Sequence, residues 1–263
     1  MPHCTNCGKE LAGEKFCPNC GMPVGGTQPY KAPKSNTRKP GVGAVDLITK
    51  ALDVLGKKPI RLWGMTLLFH LLVVIAAFFG VLPIIFVPIA FVLCAGMMAV
   101  FLAGYRGEDF NSDDLFAGFK RFFKVAGGMG WMALWVLIWG LIPIVGPVFA
   151  IIKLYSYRFV PFIITQDPEI SATDALRLSI KKTAGYKGRM FMADFLVSIG
   201  ITVVFAIFAL LTRIPHAGLV FGIIGGLVML VIGLIAPLMF GLLAAAGYEE
   251  YFVKTEPKSE PTE

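Results

Sequence analysis

Between residues 62 and 247 the chain alternates long apolar stretches with short polar ones. The apolar blocks run from Leu62 to Gly104, from Val125 to Thr165 and from Met190 to Gly247. A helix of about 20 apolar residues spans the hydrocarbon of a bilayer, so each block is long enough for two crossings. Each also has breakers near its middle: Gly80 with Pro83, Pro143 with Gly146 and Pro147, and Arg213 with Pro215. The pattern predicts an all-α membrane protein of about six transmembrane helices in three hairpins, with spans at 61–80, 83–104, 126–143, 147–165, 190–212 and 217–247. Pro143 and Pro147 leave open a re-entrant second hairpin that turns back inside the membrane.

The polar connections have patterns of their own. Val45, Ile48, Leu52 and Leu55 recur at helical spacing, with Asp46, Lys50, Asp53 and Lys57 between them. That predicts an amphipathic helix over 44–58, lying in the membrane interface or extending the first span. Residues 110–124 set Leu115, Phe116, Phe119, Phe122 and Phe123 against Asp113, Asp114, Lys120 and Arg121, with Asn111 or Ser112 as cap. Ser171 stands three residues before Asp174, which resembles a capping box opening a helix over 170–184. Residues 22–43 are rich in Gly, Pro, Thr and Lys and read as a flexible linker, and 254–263 as a disordered tail. The membrane domain is thus expected over 44–253.

Composition agrees. Only 16% of the 263 residues are charged and 56% are apolar, against about 25% charged in a typical soluble domain. The net charge of +7 would suit nucleic acid, but its Lys and Arg crowd the ends of the apolar blocks. That is the distribution that sets membrane orientation. It places both ends of every hairpin in the cytosol, and with them both termini. The chain opens on cysteines rather than on a basic stretch and an apolar run, so no secretory signal peptide is expected.

Cys4-Thr-Asn-Cys7 and Cys17-Pro-Asn-Cys20 form two C-x-x-C pairs, each followed by glycine (Gly8, Gly21). Two such turns supply the four thiolates of a closed, structural Zn2+ site, and residues 1–21 have too little core to fold without the metal. A reducing cytosol disfavours disulfides. The expected zinc ribbon carries Lys9 and Lys15 against Glu10 and Glu14, so it lacks the basic footprint that phosphates require; a cytosolic protein partner fits it better than nucleic acid.

Inside the apolar blocks stand His70, Lys153, Arg158, Asp194 and Arg213. Ionisable groups in a bilayer are costly and read as functional unless paired or at an interface. Arg158 and Asp194 suit an intramembrane ion pair joining the second hairpin to the third. Lys153 can snorkel, with Tyr155 and Tyr157 as interface anchors. Gly218, Gly222 and Gly226 form a small-residue ridge for helix packing, as do Ala95, Ala99 and Ala103. Either ridge serves packing within the chain or a homo-oligomer contact. Cys94 reads as a packing residue.

The stretch Tyr157 to Gly188 resembles the bacterial integral-membrane family catalogued as domain of unknown function 975. The resemblance rests on Pro161, Phe162, Asp167, Pro168, Glu169, Ser171, Ala175, Ser179, Gly185 and Lys187, with Gln166 where Asp is expected. The LIPIVGP bend, the Asp113–Phe119 loop and Tyr248-Glu249 are similar to that family too, and the likeness covers roughly 45–253. It implies a helical membrane fold and no established activity. The N-terminal part is similar to the short zinc ribbons of bacterial membrane proteins.

Beyond His3, the histidines are His70 and His216, in separate regions. No nucleophile–base–acid set, phosphate-cradling glycine loop or catalytic metal spacing occurs, so no enzyme and no catalytic residues are expected. The expectation is a membrane scaffold or sensor embedded in the lipid bilayer; the alternative is a transporter of small solutes or lipid.

Overall fold

The structure is a computed structural model that describes residues 41–57, 59–79, 83–167 and 169–254. Cys4, Cys7, Cys17 and Cys20, nearly all of the linker, and the tail beyond Lys254 lie outside the described residues. Every regular element among the described residues is helical: α1 (Ala44–Lys57), α2 (Pro59–Phe79), α3 (Pro83–Arg106), α4 (Ser112–Phe116), α5 (Phe122–Gly140), α6 (Gly146–Ser156), α7 (Val160–Gln166), α8 (Ala172–Thr183), α9 (Lys187–Leu211) and α10 (Gly218–Tyr248). A 3-10 turn joins α4 to α5, and a π-helical turn, Glu249–Val253, closes the last helix. Six stretches are long and apolar enough to cross a membrane, among them α4 through α5 and α6 through α7.

The core lies where α3, α7 and the last third of α10 meet. Val92, Ala95 and Val100 of α3, Val160 and Phe162 of α7, and Leu238, Leu242 and Ala245 of α10 are all sealed from the surface. The far parts of the helices show the reverse: Phe78, Leu141, Leu219 and Leu230 are mostly exposed. Apolar exposure on that scale is foreign to soluble monomers and fits a lipid environment.

α3 and α10 run in the same direction. Phe101 packs at Gly241, and further along Tyr105 and Arg106 reach Glu250 and Glu249. α9 runs against α10, with Met190 at Gly247 and Phe208 at Gly225. The start of α3 and the α9–α10 turn therefore share one end of the bundle, the tip, and the polar chain segments gather at the other, the base.

The second hairpin departs from this order. Three hairpins side by side, tips together, would set α6 antiparallel to α9. Instead Val148, Ile151 and Ile152 lie beside Lys187 and Gly188, the first residues of α9. Further along, Tyr155 meets Phe191 with ring centres 5.7 Å apart, and Arg158 meets Asp194. α6 thus advances in the same direction as α9, and the α5–α6 turn lies near the base. That turn is strained as well as apolar: Ile144, 96% exposed, has φ +67°, which β-branched residues rarely adopt. In intact cells a membrane-impermeant thiol reagent that labels Ala217→Cys in the α9–α10 turn is expected to leave Ile144→Cys unlabelled. Equal labelling of both would restore three parallel hairpins.

Local sequence explains the interruptions. Pro161 cannot donate to the carbonyl of Tyr157, and its ring obstructs a continuous helix. The expected span at 147–165 is accordingly two helices, with Pro161 in the first turn of α7. Residues 110–124 are likewise not one helix. Asn111 caps α4, accepting from the Asp113 and Asp114 amides at 2.8 and 3.3 Å, while the Asp114 carboxylate accepts from the Asn111 amide at 2.8 Å. Leu115 is buried against α3, whereas Phe123 is 89% exposed.

α1 adds a second apolar edge to the stripe of Val45, Ile48, Leu52 and Leu55. Leu47 and Ala51 are the buried pair, Ile48 and Leu55 are half-buried, and Val45 and Leu52 face outward. The helix has two apolar edges because it packs on α10 with one and leaves the other to its surroundings.

Candidate functional site

Three arrangements gather the polar groups of the bundle. The first stands where α6 ends. Arg158 faces Asp194 two-pronged: Nη1 donates to Oδ2 and Nη2 to Oδ1, the latter at 3.0 Å. The Tyr155 hydroxyl donates to the same carboxylate at 2.7 Å, and the guanidinium lies 5.3 Å from the Tyr155 ring centre. Both charged side chains are 15% exposed. Arg158 Nε is buried with no hydrogen-bond partner among the described residues, so the carboxylate is the principal compensation for placing that charge in an apolar setting.

The second arrangement repairs the α6–α7 break. Leaving a helix frees backbone groups, and in an apolar interior each must find a partner. The Ser156 carbonyl accepts from the hydroxyls of Ser179 at 2.8 Å and Thr183 at 3.3 Å, and the Phe159 amide donates back to Ser179 Oγ at 3.3 Å. Ser179 and Thr183 are fully buried. α8 is held in place for this by its cap, in which the Asp174 amide donates to Ser171 Oγ at 3.1 Å. The role of these hydroxyls escapes a reading of α8 alone; the signal is two small polar residues, one turn apart, on the apolar face of an amphipathic helix.

The third is at the base. Glu250, its side chain 7% exposed, accepts from Lys50 and Lys254, each at 2.7 Å, and from the Tyr105 hydroxyl at 3.2 Å. Arg106 donates to Glu249 at 2.9 Å. Lys50, Tyr105, Arg106, Glu250 and Lys254 line a recess of about 350 Å³ that also holds Asp53 and Lys57. Beside it an aromatic stack ties three elements together: Phe162 on Tyr248 at 4.8 Å, Tyr248 on Phe252 at 4.7 Å and Tyr186 on Tyr251 at 4.3 Å. The Tyr251 hydroxyl donates to the Val42 carbonyl, where the described chain enters the bundle. Sequence reasoning missed this cluster; the signal that could have found it is Glu249 and Glu250, an acidic pair at the end of a long apolar block.

The other singled-out residues are dispersed. His70 Nδ1 lies 2.7 Å from the Thr66 carbonyl of its own helix. Lys153 sits 4.8 Å from the Trp139 ring centre, a cation–π contact across the second hairpin. Arg213 is exposed in the turn after α9, and Cys94 is half-buried. Of the ridge Gly218, Gly222 and Gly226, the first two lie against Thr212, where a Cβ at Gly222 would be 3.7 Å from its methyl group. A Cβ at Gly218 would strike the Thr212 carbonyl at 2.2 Å and one at Gly225 the Phe208 ring at 2.9 Å, whereas one at Gly226 would meet nothing. Close approach within the chain thus follows Gly218, Gly222 and Gly225, and Gly226 meets open space. Among the described residues no group of three or more His, Cys, Asp or Glu is placed to hold a metal ion.

Comparison with family models, with curated proteins and with solved structures finds no match to this chain.

Proposed function

We propose that this protein is a non-enzymatic membrane scaffold whose helical bundle carries a cytosolic zinc ribbon, formed by Cys4, Cys7, Cys17 and Cys20, for contact with a protein partner. One observation carries the reading: the ion pairs that join α1, α3 and the end of α10 gather at one end of the bundle. The base gathers Lys50, Arg106, Glu249, Glu250 and Lys254, with Lys182 of α8 over the Phe252 ring, while the interior between α3, α7 and α10 is filled by apolar and aromatic side chains. Basic residues concentrate on the cytosolic side of membrane proteins, which assigns the base to the cytosol. The chain enters the bundle there, at Val42. The likeness to the domain of unknown function 975 supports the same membrane architecture, and the two C-x-x-C pairs support the metal.

The test uses the full chain in detergent. Metal analysis is expected to find one zinc per chain, lost on Cys4→Ser or Cys17→Ser, while helix content and thermal unfolding of the bundle hold. A site-specific crosslinker in the ribbon is expected to trap a discrete partner in cells, and to lose it in the Cys17→Ser chain. Absence of zinc, or the same crosslinked product from the metal-free variant, would defeat the reading, as would a reporter at the N-terminus found outside the cell.

A further inference from the structure

Two ammonium groups share one carboxylate oxygen at the base. Lys50 of α1 and Lys254 each donate to Glu250 Oε1 at 2.7 Å, so their nitrogens lie no further apart than twice that distance. One negative charge therefore faces two positive ones. The neighbouring charges do not make up the difference. Lys57 is matched by Asp53 at 2.7 Å and Arg106 by Glu249 at 2.9 Å. The Arg106 contact uses Nε, and its two Nη groups make no hydrogen bond among the described residues. Lys50, Arg106, Glu250 and Lys254 all line the recess of about 350 Å³ at the end of α3.

A recess with one cation in excess, two ammoniums held close together and an unused guanidinium fork is short of an anion. A tetrahedral oxyanion answers all three: an arginine fork takes two oxygens and an ammonium binds as a point charge. We infer that this recess binds a phosphate group, held by Arg106, Lys50 and Lys254. Glu250, its side chain 7% exposed, keeps the two ammoniums gathered before the anion arrives. The volume leaves room beyond the phosphate for an ester substituent the size of glycerol. Two sources offer that chemistry, the headgroup of an anionic phospholipid and a soluble phosphate ester. The lipid source rests on the reading above that puts the base at the cytosolic face, where basic residues meet anionic headgroups; the phosphate site itself does not.

The full chain would be titrated with glycerol phosphate by calorimetry in detergent. In a second arm it would be reconstituted in nanodiscs of phosphatidylcholine and phosphatidylglycerol, then released and weighed by native mass spectrometry. Phosphatidylglycerol retained over phosphatidylcholine names the headgroup as the source; binding of glycerol phosphate without such retention names the soluble ester. In the arm that responds, binding is expected to fall about fivefold for each of Lys50→Gln and Lys254→Gln, and to persist in Lys50→Arg. Glu250→Gln removes the competing anion and keeps the side-chain shape, so it should tighten binding about fivefold. Lys181→Gln, on α8 outside the recess, is the control for general charge loss, and thermal unfolding of each variant separates lost binding from lost folding. No binding in either arm, or weaker binding by a Glu250→Gln chain that melts like wild type, would overturn the site. A chain cut after Lys254 should bind as the full chain does; binding that appears only after the cut would assign the recess to the chain's own Glu256 and Glu260 and overturn the inference. A chain that stays soluble without detergent would overturn the membrane reading and leave the glycerol phosphate arm to decide the site.

Discussion

Arg158→Ala and Asp194→Ala, made singly, are each expected to destabilise the bundle by about 3–5 kcal/mol, the usual consequence of stranding one member of a buried pair. Either change leaves a charge in apolar surroundings. Asp194→Ala is expected to be the worse: Arg158 already has one buried nitrogen without a partner, and the Tyr155 hydroxyl would lose its acceptor too. The readout is the thermal midpoint and monodisperse yield in detergent. Replacing both residues together by leucine is expected to recover most of the loss, because the desolvation penalty leaves with the charges. Wild-type yield and midpoint in both single variants would show that α6 and α9 do not depend on the pair.

The second large effect belongs to Gly96. A Cβ there would lie 2.1 Å from the Leu115 carbonyl oxygen and 2.9 Å from its carbon. Those are backbone atoms of a capped helix and cannot step aside as a side-chain tip can. Gly96→Ala is therefore expected to lift α4 from α3 and cost about 1–3 kcal/mol, the range for overpacking. Gly226→Ala meets open space, and helix propensity alone should leave it neutral or more stable by up to about 1 kcal/mol. Detergent melts of the two variants give opposite signs if the α3–α4 contact is as close as the geometry has it; equal shifts would refute it.

Some of this was legible in the sequence for a physical reason. Bilayer thickness fixes how long an apolar helix must be, so the apolar blocks fall at α2, α3, α5, α9 and α10 almost residue for residue. Opposite charges deep in apolar blocks have few affordable fates, and Arg158 and Asp194 are adjacent in space. What escaped depends on neighbours that periodicity does not name. Both Gly225 and Gly226 are small, and only the position of Phe208 decides which is the contact. Hydrophobicity cannot tell whether α6 runs with α9 or against it, since lipid is equally available along either course. Which edge of α1 packs on the bundle, Leu47 and Ala51, is not legible because the helix is apolar on two edges.

The hydroxyls that cover the α6–α7 break make one helix answerable for another. Ser179 and Thr183 come 23 and 27 residues after the carbonyl they satisfy. A change that shifts α8 therefore reaches Ser156 without touching it, because the carbonyl loses both side-chain donors together.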